Sequence, residues 1–270
     1  MYDDFSADYD RFVDWDGRLA AEMPFIERCL EAAGAQRVLD AACGTGRHAL
    51  ALAERGYEVV GTDGSTGMVE QARANASAVG REDMSFVVAG FGELTRALSL
   101  ARGKTPETKQ TNSRFDAVLC LGNSLPHVLT PDDLGVTLAD FGNCLRTGGL
   151  LLIQNRNFDA VLANRDRWMG PQSHQEGKSE WLFLRFYDFD SDGLLTFNVV
   201  RLKRERGNDW NQDVSSTRLW PLTEHELGPA VREAGFGEIR LYGDMGGAPF
   251  DPDGSSNLVL AARALEAVGG

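Results

Sequence analysis

No apolar run in this 270-residue chain approaches the roughly 20 residues that span a bilayer, so a helical membrane protein is excluded. Basic charge is also in short supply. Against 27 Lys and Arg stand 40 Asp and Glu, for a net charge of −13. A field of that sign repels phosphate backbones and anionic lipid surfaces, so neither nucleic acid nor a membrane is an expected partner. Solubility is its ordinary consequence, and adaptation to high salt is the other. The four cysteines, Cys29, Cys43, Cys120 and Cys144, lie far apart in apolar contexts, with no CxxC pair and no His/Cys cluster of zinc spacing. They read as small buried hydrophobes, and no metal site is expected. The opening MYDDFSADYDRF has neither the basic start nor the apolar stretch of a signal peptide, so the expected location is the cytoplasm.

What is present is an alternation of strands and helices. Residues 19–33 have helical apolar spacing closed by Gly34. RVLDAA then reads as a strand, RHALALAERG as a helix and YEVVGTDG as a second strand. Ser65 N-caps a helix over STGMVEQARANASAVG, and MSFVVAG is a third strand. Residues 96–114 are polar and irregular and read as an exposed loop. FDAVLCLGN is a fourth strand, a helix opens at Pro131, and TGGLLLIQNR is a fifth strand. Near-continuous apolar strands between helices predict a parallel sheet covered on both faces. The pattern then breaks: EWLFLRFYDFD and LLTFNVVRLKRE flank an acidic turn at Asp192-Gly193, which is a hairpin signal. A helix over TEHELGPAVREAG and two closing strands predict an antiparallel pair at the sheet edge. The expected fold is therefore α/β: a Rossmann-like, mostly parallel sheet with helices on both faces, an antiparallel last strand and an inserted antiparallel β-hairpin subdomain. The expected division is a lid and helix over 1–34, a cofactor-binding core over 35–163, a substrate-side insertion over 164–220, and a helix with the final strand pair over 221–270.

VLDAACGTGRH (38–48) is a strand running into a glycine turn and then a helix, an arrangement that brings backbone against a nucleotide. A nicotinamide site wants G-x-G-x-x-G there. This chain has Asp40 at the strand end and Ala42 where the first glycine would fall. Negative charge beside a pyrophosphate is unfavourable, and Asp40 better suits a ligand with a cationic or donor group, such as the ammonium of a methionine moiety. Asp63, ending the second strand, is placed to accept hydrogen bonds from both hydroxyls of a ribose; the plainer reading is a helix-opening acid.

These stretches, with FVDWDGR (12–18), TDGSTGM (62–68), FDAVLCLGNSLPH (115–127), LLLIQNRNFDAVL (150–162) and LYGDM (241–245), resemble the S-adenosylmethionine-dependent methyltransferases, and more narrowly the glycine and glycine/sarcosine N-methyltransferases. The resemblance implies S-adenosylmethionine over the strand ends. It places the backbone of Ala42 and Gly44 by the methionine part, Asp63 on the ribose, and Met68 and Phe91 on the adenine. Gly46, Gly64, Gly90, Leu121 and Ser124 complete the implied cofactor side. Met68 has a second reading as simple core. The family more often has Trp at the position of Phe91, preceded by an acid or amide where this chain has Gly90, so a side-chain hydrogen bond to adenine is lost. Arg18 is the candidate partner of the cofactor carboxylate, because a guanidinium fork matches it bidentately; otherwise it lies along the first helix. Tyr2 and Tyr9 are lid residues.

On the acceptor side, the resemblance implies that Arg156 holds a carboxylate and Asn123 orients an amine. An arginine ending an apolar strand needs an anion in any case, with Asp159 and Asp244 as internal candidates. His127 either touches the reacting centre or merely starts a helix. The aromatics Trp168, Trp181, Phe183, Phe186, Tyr187, Phe189 and Trp220 are expected mostly between hairpin and sheet. Phe158 stands where the family has tyrosine, removing a hydroxyl.

The implied function is methyl transfer from S-adenosylmethionine to the amine of a small carboxylate-bearing acceptor such as glycine or sarcosine. Holding donor and acceptor in line in a water-poor site supplies most of the acceleration, without a metal or an assigned general base. The rival expectations are a methyltransferase for another small metabolite and a non-catalytic S-adenosylmethionine-binding regulator. Asp40 and Ala42 disfavour a nicotinamide oxidoreductase. Tetramers in some family members depend on an N-terminal extension that a chain opening MYDDF is too short to supply, so a monomer or small homo-oligomer is expected.

Overall fold

The computed structural model describes residues 2–101, 114–205 and 208–266, and of residues 2–5 and 7 the backbone only. Two helices, α1 (Tyr2–Phe12) and α2 (Trp15–Ala32), precede the alternating core. The core runs β1 (Arg37–Ala41), α3 (Arg47–Glu54), β2 (Glu58–Asp63), α4 (Thr66–Ala78), β3 (Ser85–Val88), α5 (Leu94–Ala101) and β4 (Phe115–Cys120). After a 3-10 turn at Leu125–His127 come α6 (Pro131–Cys144), β5 (Leu145–Arg156) and α7 (Phe158–Asn164). Four strands then follow without a helix: β6 (Trp168–Glu176), β7 (Ser179–Phe189), β8 (Leu195–Glu205) and β9 (Asn211–Leu219). The chain closes with α8 (Glu224–Glu233), β10 (Phe236–Tyr242) and β11 (Asn257–Ala264).

The larger sheet has seven strands in the order β10-β11-β5-β4-β1-β2-β3. All neighbouring pairs from β5 to β3 are parallel, whereas β11 runs antiparallel to both β5 and β10. Alternation along each strand splits its apolar residues between two cores. Leu39, Val118, Cys120, Leu151 and Ile153 face α5, α6 and α8 through Leu98, Phe141 and Val231. Val38, Ala117, Leu119, Leu150 and Leu152 face α2, α3 and α4 through Ile26, Leu52 and Ala72. A sheet buried on both faces needs such continuous apolar strands. Strand order reverses between β1 and β4, and the carboxyl ends of those strands frame the crevice where open α/β sheets bind ligands.

Helix starts follow local chemistry. Ser65 Oγ accepts the Met68 N–H at 3.1 Å, and Thr130 Oγ1 accepts that of Asp133 at 3.2 Å with Pro131 next to it. Helix α5 corrects the expectation of a loop from residue 96. It extends to Ala101, and its first amides, Leu94 and Thr95, donate to the Asp140 carboxylate of α6 at 2.7 and 3.1 Å. That cap comes from 46 positions along the chain, and local sequence carries no sign of it. The remainder of that loop, 102–113, lies outside the described residues.

The hairpin is present as β7 and β8, turning through Asp190–Gly193 with Gly193 at φ 86°. It is the middle of a four-stranded antiparallel sheet, β6-β7-β8-β9, rather than a lone hairpin. The flanking strands β6 and β9 are largely exposed and polar, and are held by main-chain pairing that apolar alternation does not announce. Trp181, Phe183 and Tyr187 pack inward, against α1 and α7. Trp168 departs from the expectation: it is 63% exposed and lies 4.8 Å from Phe186 on the outer face.

Candidate active site

The turn after β1 uses left-handed backbone at Ala42 (φ 61°), Gly44 (φ 55°) and Gly46 (φ 77°). Asp63 braces it. Its Oδ2 accepts the Gly44 N–H and its Oδ1 the Ser65 N–H, both at 2.9 Å. Above the turn lies a cavity of about 400 Å³, walled by Ala42, Gly44, Asp63, Gly64, Gly90, Phe91 and Ser124. Met68 lines it while being only 2% exposed, so it serves wall and core together. The Phe91 ring is held edge-on to Phe141 at 5.9 Å.

Four expected residues stand outside this wall, among them Arg18, which lines the second cavity described below. Asp40 is buried at 2% exposure and is not part of the wall. Burial and the neighbouring Asp63 raise its pKa to about 7, and its Oδ2 has no hydrogen-bond partner among the described residues. Gly46 faces inward. A Cβ there would come within 3.0 Å of Ala72 and Phe86, so the glycine serves close packing of turn on helix. Leu121 is buried at 3% exposure, and its carbonyl accepts the Ser124 hydroxyl. The Tyr2 side chain lies outside the described residues.

Helix α1 closes over the cavity through Asp10. One carboxylate oxygen accepts Trp15 Nε1 at 3.0 Å and Thr45 Oγ1 at 2.6 Å. The other accepts Arg47 Nη2 at 2.6 Å and Asn75 Nδ2 at 2.9 Å. Farther along, Asp8 pairs with Arg201 of β8 at 2.6 Å and Arg11 with Glu176 of β6 at 2.7 Å. The helix therefore ties the glycine turn to the antiparallel sheet. Sequence reading expected a lid but missed Asp10, because nothing in MYDDFSADYDRF distinguishes it from its acidic neighbours.

A second cavity, of about 510 Å³, adjoins the first, and Tyr9, Gly122, Asn123 and His127 line both. Arg18, Gln154, Arg156, Gln172, Arg185 and Tyr187 complete much of its wall. Asn123 has a left-handed backbone (φ 63°), and its Oδ1 accepts the Arg156 N–H at 2.9 Å, joining the ends of β4 and β5. His127, in the 3-10 turn, is lowered to about 4 by burial and is neutral at physiological pH. Arg18 donates Nε–H to Glu22 at 3.1 Å and stacks on Trp15. Its Nη2 end points toward Gly122, where an added Cβ would lie 3.5 Å away.

Arg156 ends β5 inside this cavity, and its Nε has no hydrogen-bond partner among the described residues. Neither internal acid serves it. Asp159 accepts the Glu224 N–H, and Asp244 accepts three amides of its own loop. Phe158 is not in the wall. It is fully buried against Tyr187 and Val161, where a hydroxyl would meet an apolar cluster.

The methyltransferase domain family matches residues 38–149. Over 247 residues the chain is 30% identical to a glycine/sarcosine N-methyltransferase of Aphanothece halophytica, covering 89% of this chain and 81% of that protein. It is 31% identical to one from Halorhodospira halochloris, covering 93% and 84%. This chain belongs to the glycine/sarcosine N-methyltransferase family. It is an S-adenosylmethionine-dependent methyltransferase. In fold it is similar to the crystal structure of an S-adenosylmethionine-dependent methyltransferase from Clostridium acetobutylicum, with a TM-score of 0.73 over 98% of this chain and 99% of that one at 14% identity.

The methyltransferase's first cavity fits its cofactor. Gly44 leaves open a gap that a Cβ would fill, 3.9 Å from the Tyr9 ring. The Asp63 carboxylate, which accepts the Gly44 and Ser65 amides, lines the cavity as an acceptor group. Sequence reading passed over Glu22, Gln154, Gln172 and Asn257 of the second cavity, and with them Arg185. Its signal was available: in W-x-F-x-R-x-Y-x-F (181–189), period-two spacing puts an arginine on the inward aromatic face.

Proposed function

We propose that this methyltransferase acts on the amine of a small carboxylate-bearing acceptor, with glycine and sarcosine, the substrates in its relatives' names, as the first candidates. The observation that carries this reading is Arg156: a guanidinium whose Nε is without a protein partner, in the cavity that shares a wall with the cofactor cavity. A guanidinium fork is matched by a carboxylate.

In this reading Asp63 holds the ribose, Arg18 the methionine carboxylate, and Ala42 and Gly44 offer backbone beside the methionine chain. Met68, Gly90 and Phe91 bound the adenine, and Gly64 and Ser124 complete the wall. Bound there, S-adenosylmethionine supplies a methyl group on a sulfonium. The chain's own work is placement. Arg156 anchors the acid, the remaining lone pair of Asn123 Oδ1 accepts from the amine, and neutral His127 and Tyr9 border the junction without adding charge. With its pKa at about 4, His127 is too weak a base to take a proton from an ammonium, so the amine loses its proton to water before it is enclosed. Alignment and exclusion of water do the rest. The same reading places the enzyme in the cytoplasm as a monomer or small homo-oligomer with no nucleic-acid partner, in keeping with its charge of −13.

The test is release of S-adenosylhomocysteine by the purified protein with glycine, sarcosine, dimethylglycine and amines lacking a carboxylate. Turnover of glycine or sarcosine is expected. Turnover confined to amines without an acid group would overturn the proposal.

A further inference from the structure

Strand β7 presents Trp181, Phe183, Arg185, Tyr187 and Phe189 on one face, and Arg185 is the only charged member of that row. It pairs across the sheet with Met169 of β6 and Val199 of β8, so its strand neighbours supply no counter-charge. Phe183 and Tyr187 on either side are 0% and 2% exposed. The guanidinium lies 4.9 Å from the Phe12 ring, and its Nε has no hydrogen-bond partner among the described residues. It opens into the same cavity as Arg156, whose Nε is likewise unpartnered.

The carboxylates around this cavity are engaged elsewhere. Glu22 takes Arg18 and His48, Asp14 takes the Gly17 N–H, and Asp8 takes Arg11 and Arg201. Asp188, on the opposite face of β7, takes Arg167 and Asn198. Two half-buried guanidiniums, each with a buried and unpartnered Nε and no protein anion, are costly, and burial together with the nearby Arg156 lowers the Arg185 pKa. A ring contact such as that with Phe12 offsets only part of this. An anion that arrives with the ligand offsets far more.

We propose that Arg185 is a second acid-binding residue of the acceptor cavity, so that the acid end of the amine is gripped by two guanidiniums, Arg156 and Arg185. This rests on the reading of the second cavity as the acceptor site. The chemistry it selects is an amine bearing acid: one carboxylate bridged between the two forks, or two carboxylates with one on each. Arg185 thereby sets specificity against neutral amines, and it makes the antiparallel sheet part of the acceptor site.

Binding, independent of turnover, tests it. The full chain saturated with S-adenosylhomocysteine is titrated calorimetrically with acetate, malonate and neutral acetamide, in the parent and in R156Q, R185Q and R185K. The parent is expected to bind an acid and not acetamide. R185Q is expected to weaken acid binding by about tenfold or more, the range of a lost hydrogen bond to a charged group. R185K is expected to recover part of the loss, and all variants to keep their affinity for S-adenosylhomocysteine. Malonate binding more tightly than acetate assigns two acids to the acceptor, and equal affinities assign one bridged acid. Acid affinity unchanged in R185Q, or no discrimination between acetate and acetamide in the parent, overturns the proposal. Failure of glycine and sarcosine to turn over while R185Q still loses acid binding would remove those substrates and leave the Arg185 assignment standing.

Discussion

The two cavities, proposed above to hold cofactor and acceptor, meet at Asn123 and His127 but are built in opposite ways. The cofactor cavity is made of backbone, glycines and short side chains at strand ends, and its key acid is already satisfied: Asp63 holds Gly44 and Ser65. The acceptor cavity is made of long side chains from β5, β6 and β7, and three of their polar atoms, Arg156 Nε, Gln172 Oε1 and Arg185 Nε, are unpartnered among the described residues. The first is braced by hydrogen bonds within the chain. The second leaves its charge to be matched by whatever enters. A fold can keep one such cavity across many acceptors and change the other by substituting side chains.

The contrast is broken most strongly at Arg156. Replacing it by alanine removes a charge-assisted contact of about 1.5–3 kcal/mol, so KM for the acceptor is expected to rise by on the order of 10- to 100-fold. Affinity for S-adenosylhomocysteine should stay level. Equal loss of both affinities would show that the two cavities are not separable at this residue. Asp63→Ala sharpens the contrast from the other side. It also strands the Gly44 and Ser65 amides, and cofactor affinity is expected to fall by about tenfold or more while acceptor KM at saturating cofactor moves little. Cofactor affinity unchanged in a titration would count against the ribose role.

The smallest effect is expected at the shared wall. Burial holds folded His127 at about 4, against 6.5 for a free imidazole. Between these values the unfolded chain binds more protons, so this residue's contribution to stability rises with pH. It is complete above 6.5 and is lost as pH falls toward 4, by at most about 3 kcal/mol. Denaturant unfolding of His127→Gln on both sides of that window should show a shallower loss on acidification than the parent. Identical slopes would mean that the imidazole is not held neutral.

Much of the cofactor cavity could be read from short stretches because each is a local device. The strand, the left-handed turn and the helix from Arg37 to Glu54 are contiguous, and Ser65 caps α4 from three residues away. Asp40 shows the limit of that reading. Its place in the motif suggested a ligand contact, yet the folded chain buries it outside the cavity wall. Gly46 was expected on the cofactor side, but it lies outside the cavity wall, where Ala72 and Phe86 leave no room for a Cβ. Asp10 and Asp140 gave no sign at all, since, Trp15 aside, they act on Thr45, Arg47, Asn75, Leu94 and Thr95, distant in sequence and brought near only by folding.

Sequence alone determined the parallel sheet, because burial on both faces demands continuous apolar strands, and it determined the turn, because left-handed backbone near a ligand favours glycine. It also carried Asn123 and Arg156 in recognisable runs. Tertiary structure alone decided which residues line the acceptor cavity. It brought α1, β5 and β7 together across more than a hundred positions, left β6 and β9 joined by main-chain hydrogen bonds that any side chains permit, and set Arg185 beside Arg156. Local pattern records which face a side chain takes. Which other charge shares that face is settled only when distant strands meet.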